Sequence, residues 1–269
     1  MKNFLLSALI VALIFMTGCG SDASETKVGT IRYSNMTEES FDKIFNENNT
    51  PTIKKRKHIF FDNMGTMIAA MHAGQIEGMS TYDSVASFIS VNNPQPQWII
   101  QDSGVSDIFC CALREEEVAL KKEFDIAIQK MTLEGTLSKL VKAYISKVNH
   151  GDTLNAIELP HFDGAETIKV GVTGDLPPID YVRADGLPEG FNTAILAEIS
   201  RIIKKNFELV QIDSGARAAA LTSKQVDVIF WAVAPKNYNN LPANFDTPDG
   251  VILTESYFSD KVVFVKEKK

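Results

Sequence analysis

Residues 168–233 read IKVGVTGDLPPIDYVRADGLPEGFNTAILAEISRIIKKNFELVQIDSGARAAALTSKQVDVIFWAV, and their rhythm decides the fold. Ile168–Val172 is a short apolar strand that runs into the polar pair Gly174-Asp175. Pro177-Pro178 then bar any helix or ladder, because proline lacks an N–H and restricts the residue before it. Ala184-Asp185-Gly186 and Pro188-Glu189-Gly190 carry turn chemistry. From Asn192 onward Ile195, Leu196, Ile199, Ile202 and Ile203 recur at helical spacing. Phe207–Ile212 reads as a second strand, Ala216–Ser223 as a second helix and Val226–Val233 as a third strand. Strand and helix alternating in this way predict a parallel sheet, whose ligands sit in the crevice beyond the carboxyl ends of its strands.

Composition agrees with a globular α/β protein. The 269 residues are 45% hydrophobic and 23% charged, enough apolar chain to bury sizeable cores. A net charge of -7 supplies no basic footprint for nucleic acid. Met1-Lys2-Asn3 followed by the apolar run Phe4–Met16 has the form of a secretory signal and is short for a membrane span. Cys110 and Cys111 are adjacent in an apolar stretch, so in a strand they point to opposite faces and read as packing. His58, His72, His150 and His161 are scattered, without metal-ligand spacing, and are expected to be solvated or at the edge of a core. No Walker loop, GxGxxG or GxSxG occurs, so nothing favours a nucleotide enzyme or a serine hydrolase. No metal and no cofactor is expected.

The quoted stretch resembles the opening of the type 3, amino-acid-type, extracellular solute-binding proteins of ABC importers. The resemblance rests on GD-L-PP-x-x-Y after the first strand, on Gly190-Phe191 opening a helix, and on A-A-L-x-S-x-x-V-D-V-I at Ala219–Ile229. VGTIRYSNMTEESFDKIF (Val28–Phe45) and HIFFDNMGTMIAAMHAGQIEGMSTYDSVASFI (His58–Ile89) are similar to the second lobe of that family. DIFCCALREEEVALKKEFDIAIQKMTLEGTLSKLVKAYI (Asp107–Ile145) is similar to its closing strand and helices. The resemblance implies a two-lobed, periplasmic-binding-protein-like type II fold, with two mixed, mostly parallel sheets, helices on both faces and a hinge. The order of the pieces implies a circular permutation, favoured over a tandem of two half-modules because the halves are not alike. Lobe 2 would be residues 28–112 completed by 261–269. Lobe 1 would be 113–260, comprising closing helices 115–148, a polar link 149–167 and the segment 168–260. Met16-Thr17-Gly18-Cys19 resembles a lipobox, so residues 1–18 would be a signal peptide, Cys19 the lipidated residue and 19–27 a tether. The implied partners are a small-molecule ligand, a membrane held through the lipid and an ABC permease, for a monomer on the extracytoplasmic side.

Ligand-binding candidates follow from strand ends and from the resemblance. Asp175 stands at the carboxyl edge of the first strand. Trp231 is expected to face the cleft, since alternation puts Phe230 on the other face and only one of the two is expected to be fully buried. Arg217 opens a helix among alanines, where the helix dipole is unfavourable, so an acidic partner is expected: a ligand carboxylate or Asp213. Thr37 is a candidate N-cap whose neighbouring N–H groups suit an anion. The resemblance adds Tyr181 as a covering aromatic and Thr81 and Tyr82 in the ligand-facing loop. Three of the family's anchors are replaced here: its carboxylate-clamping Arg by Ala234-Pro235-Lys236-Asn237, its amine-binding Asp by Tyr82, and its stacking aromatic by Ser214. The reading is a binding protein rather than an enzyme, for a small amino-acid-like or carboxylate-bearing solute, with a ligand-sensing or signalling module on the same fold as the first alternative and an enzyme of the solute-binding fold as the second.

Overall fold

The computed structural model describes residues 25–47, 55–150, 153–236 and 241–268. The signal segment and Cys19 lie outside the described residues. Twelve strands and seven α-helices follow in order: β1 (Thr26–Ile31), α1 (Glu38–Glu47), β2 (Arg56–Phe61), α2 (Met64–His72), β3 (Gly78–Tyr82), α3 (Asp83–Asn92) and β4 (Trp98–Arg114). Next come α4 (Val118–Leu133), α5 (Thr136–Val141), β5 (Thr167–Val172), β6 (Asp175–Leu176), β7 (Asp180–Val182) and β8 (Pro188–Glu189). The chain closes with α6 (Gly190–Ile203), β9 (Asn206–Gln211), α7 (Arg217–Thr222), β10 (Val228–Pro235), β11 (Val251–Leu253) and β12 (Phe258–Glu267). The three strands and two helices expected within 168–233 are all present, displaced by one or two residues at their ends.

Two parallel sets are visible. In the first, β2 and β3 flank β1, all parallel. In the second, β9 and β10 flank β5, again parallel. The sets do not stand as separate sheets. A single path runs β2-β1-β3-β12-β4-β10-β5-β9, with β11 pairing β4, because two long antiparallel strands span both halves. The 17-residue β4 pairs with β10 through Asp107–Leu113 and with β12 along Trp98–Phe109. Val262–Val265 of β12 meanwhile ladder onto β3, so the end of the chain completes the first set. A three-stranded hairpin sheet, β6-β7-β8, stands beside β5, with Pro177-Pro178 in its turn.

Helical spacing explains the layers. In α4 the buried residues are Leu120, Phe124, Ala127, Ile128 and Met131, a single stripe, and the Phe124 ring lies 5.8 Å from that of Phe207. In α6 nearly the whole first three turns are buried, which suits a helix covered on several sides. Gly190 opens α6 at φ 89, where a Cβ would stand 2.6 Å from the Pro178 carbonyl oxygen. Residues 153–166 lead to β5 without regular structure, and Asn206 holds them by two hydrogen bonds to the Phe162 backbone, of 2.8 and 3.0 Å. Cys110 and Cys111 are both buried and unbridged, and burial pushes the Cys110 thiol up to about 12. His58 departs from the expectation of a solvated or core-edge residue. It is buried edge-on to Phe41 and bonded to Asp42 at 2.7 Å, and burial lowers its pKa. Among the described residues no helix is long and apolar enough to cross a membrane.

The join between β12 and β3 admits a direct check. A Cβ on Gly78 would stand 2.5 Å from the Val265 carbonyl oxygen. Gly78→Ala should therefore lower the unfolding free energy by about 1–3 kcal/mol, read as a lower urea midpoint, because rigid backbone cannot step aside.

Candidate functional site

Both parallel sets point their carboxyl ends at one seam. From the first set come Arg32–Asn35 after β1, Asp62-Asn63 after β2, and Tyr82 at the end of β3. From the second come Thr173–Asp175 after β5, Asp213-Ser214 after β9, and Trp231–Val233 in β10. Hydrogen bonds stitch the seam closed. The Met64 N–H at the start of α2 donates to Asp175 Oδ2 at 2.6 Å, and Ser214 N–H donates to the Asp62 carbonyl at 3.0 Å. Gly215 packs so close that an added Cβ would sit 2.5 Å from Asp62 Oδ1.

Asp175 is thus at the strand edge where it was expected, but its carboxylate serves the N-terminus of α2 across the seam, where the free N–H groups favour an anion. Burial raises its pKa in spite of that bond. Beside it, Asp180 accepts from Thr173 N–H, Thr173 Oγ1 and Gly174 N–H at 2.9, 2.9 and 3.0 Å, and burial still lifts it to about 6.

A small void of about 20 Å³ remains inside the seam, room for about one water molecule. Its lining includes Thr30, Tyr33, Thr81, Tyr82, Leu176 and Trp231. Of the residues expected at the site, the structure brings Thr81, Tyr82 and Trp231 together here. Tyr82 donates its hydroxyl to Asp107 Oδ2 at 3.1 Å. Asp107 is fully buried on β4, and burial pushes its carboxyl up to about 7, with the nearby charges of Asp246 and Asp260 adding to the shift. Its Oδ1 and the Thr81 hydroxyl are buried without a hydrogen-bond partner among the described residues, an arrangement that costs free energy. Burial likewise raises the Tyr33 hydroxyl.

Several expectations need correction. Trp231 and Phe230 are both fully buried, since β10 is a central strand covered on both faces. Phe230 stacks on Tyr257 at 5.0 Å, while Trp231 lies 6.0 Å from Phe109 and donates Nε1–H to Thr173 Oγ1 at 3.3 Å. Arg217 has an acidic partner, but neither a ligand nor Asp213 takes that place. Its guanidinium is 2% exposed and bonds to both carboxylate oxygens of Asp246, at 2.9 and 3.0 Å. The remaining donors go to the Ser214, Trp231 and Arg32 carbonyls, and the group lies over the Trp231 ring at 4.5 Å. With five N–H groups in a guanidinium, no donor is left for a further ligand in this conformation. Ser214 is buried, with its hydroxyl unpartnered among the described residues. Tyr181 pairs with Asp175 and Glu189 in the hairpin sheet and does not line the void. Thr37 is exposed and caps α1, accepting from Ser40 N–H at 3.2 Å, and it too is absent from the lining.

Sequence reasoning missed Asp107 and Asp246. An acid opening the apolar run Ile108–Leu113 is a readable oddity that could have marked Asp107. Asp246 sits among loop residues and carries no local signal. Among the described residues no group of three or more His, Cys, Asp or Glu could hold a metal ion.

The seam lies where two parallel α/β units face each other with the carboxyl ends of their strands. Residues 168–268 carry the sequence of the bacterial extracellular solute-binding proteins, family 3. No curated protein is recognisably similar in sequence. Among solved structures, the ligand-binding component of an ABC-type import system from Staphylococcus aureus, with zinc bound, is 12% identical with a TM-score of 0.44, covering 90% of this chain. The present chain spans only 65% of that protein's length. A nutrient-binding protein from Burkholderia cenocepacia bound to methionine is 13% identical, TM-score 0.43, covering 90% of this chain and 84% of its own. The GluR0 ligand-binding core from Nostoc punctiforme in complex with (L)-glutamate is 10% identical, TM-score 0.41, covering 91% and 85%.

Two measurements test this geometry. Arg217→Ala would leave the Asp246 carboxylate buried and unpaired, so urea unfolding should show a loss of about 3–5 kcal/mol. The second concerns pH. Asp107 takes up its proton near 3.8 when unfolded and near 7 when folded. Between those values the folded state holds the extra proton, so stability falls as pH rises from about 4 toward 7. Asp175, Asp180 and Asp260 are raised too and act with the same sign. Denaturation at pH 5 and pH 8 should find the wild type more stable at pH 5, and Asp107→Asn should shrink the difference.

Proposed function

We propose that the chain is an extracytoplasmic solute-binding protein, anchored by a lipid on Cys19, that captures a small organic solute between its two halves and delivers it to an ABC permease. The domain plan is the permuted one: residues 28–112 with 261–269 form one lobe and 113–260 the other, hinged where β4 and β12 cross. The family match of 168–268 supports the class. One observation carries the site: among the described residues Thr81 Oγ1 is buried without a hydrogen-bond partner beside a void lined by Tyr33, Tyr82 and Trp231, and Tyr82 donates to Asp107, whose Oδ1 is likewise buried and unpartnered.

Buried acceptors of this kind are best satisfied by a donor that arrives with the solute. A protonated amine suits them, since it satisfies an ionised Asp107 and the Thr81 hydroxyl while its apolar body meets the rings. The void holds about one water, so entry requires the halves to part, and closure on the solute follows the hinge mode of such proteins. Binding rather than catalysis is the reading. Asp107 has a shifted pKa but is fully buried, and the group that donates to it is the Tyr82 hydroxyl rather than a carboxyl or an imidazole.

A thermal-shift screen of the form beginning at Ser21, against amines, amino acids, organic acids and aromatic compounds at pH 6 and pH 8, tests this. An amine at about a hundred times its dissociation constant should add about 2.7 kcal/mol of stability. The shift should be larger at pH 8, where Asp107 is ionised. Hits confined to uncharged or anionic compounds, or a larger shift at pH 6, would reject the amine reading.

A further inference from the structure

We propose that Asp246 is a built-in carboxylate ligand: it fills an anion seat formed by both halves, so the seam closes there without any carboxylate from a solute. The inference rests on reading the seam as the binding cleft, and deepens it by specifying the solute class.

The seat has four donors from three separate elements. Arg217 at the start of α7 gives two N–H groups of its planar fork, at 2.9 and 3.0 Å. Val233 N–H in β10 reaches Asp246 Oδ2 at 3.1 Å, and Ser34 N–H, beyond β1 in the other half, reaches Oδ1 at 2.7 Å. The carboxylate they enclose has 0% of its surface exposed. Backbone N–H groups and a bidentate guanidinium recognise any carboxylate placed between them, whatever carries it. Here the carrier is the segment 241–250 between β10 and β11. Asn35 fastens that segment, donating Nδ2–H to the Asn244 and Thr247 carbonyls at 3.0 and 3.3 Å and its backbone N–H to the Phe245 carbonyl at 3.2 Å. The Phe245 ring packs 4.6 Å from that of Tyr33. The latch therefore grips the first half by backbone, ring and charge while being chemically part of the second. A second small void, of about 10 Å³, adjoins the seat between Ser34, Arg217 and Asp246.

The consequence for specificity is direct. A solute of the wild-type chain brings its donor to Asp107 and needs no carboxylate, because the protein supplies one. Amines should therefore be preferred over the amino acids that bear the same side chain.

The test restores the severed side chain. Acetate supplies the carboxylate that the substitution removes, so Asp246→Ala in the full chain should regain melting temperature as acetate is added, against sodium chloride at equal ionic strength. Wild type should show no acetate-specific rise, and Arg217→Met combined with Asp246→Ala should lose the response. An Asp246→Ala chain that folds only with acetate supports the proposal. No response in that variant, an equal response in wild type, or a response that survives loss of Arg217 overturns it. Should the variant fail to fold under every condition, hydrogen exchange of the wild type decides. Without solute, the Ser34 amide should exchange as slowly as core amides such as that of Val263, and fast exchange at Ser34 would overturn the latch. A solute found by screening the wild type, together with a failed acetate response, would retain the binding-protein reading and discard only the internal ligand.

Discussion

The antiparallel ladder between β4 and β12 is the constraint on which the rest of this molecule depends. Each parallel set alone is an ordinary α/β unit with its crevice at the carboxyl ends of its strands. What makes the two crevices one is that β4 runs 17 residues, pairing with β10 at one end, while β12 pairs with it along most of its length and with β3 on the other side. Hydrogen-bonded strands hold register, so the ladder sets which ends of the two sets face each other. It shifts register between Val262 and Val263, and the neighbouring β10–β4 pairing shifts between Ile229 and Ala232, where a bulge adds local bend and twist.

The seam so formed is unusually polar for a buried surface. Asp107, Asp175, Asp180, Arg217 and Asp246 are all wholly or largely withdrawn from water. Each is expensive to bury alone, and the structure answers in two ways. Asp246 and Arg217 neutralise one another and use neighbouring backbone groups to complete their hydrogen bonding. Asp107 and Asp180 meet the same penalty by holding their protons to higher pH, about 7 and about 6. The first solution makes a lock and the second leaves carboxyls that respond to pH.

Much of this was legible in the chain. Ile168–Val172, the helix with Ile195, Leu196 and Ile199, and the strand through Ile229 all show the periodicities of their elements, because burial on a sheet or helix face leaves a local imprint. Trp231 could be placed near a strand end on the same grounds, while Thr81 and Tyr82 came from the family resemblance. Arg217 could be recognised as needing an acid, since a helix start repels a cation. Its partner could not be named, because Asp246 is 29 positions away in a loop without periodic pattern. Trp231 is placed at the cleft by alternation, but with Phe230 also fully buried β10 is covered on both sides, which alternation alone does not reveal.

The sequence by itself therefore determined the elements, their α/β class and the residue types gathered at the strand ends, all of which follow from spacing along one segment. Only the tertiary structure decided how the two sets face each other, that β12 returns to complete the first, and that a carboxylate from a distant loop occupies the Arg217 seat. The physical reason is that hydrophobic period and turn chemistry act over a few residues. Pairing of buried charges and the meeting of two sheets are decided by desolvation across the seam, where sequence separation carries no information.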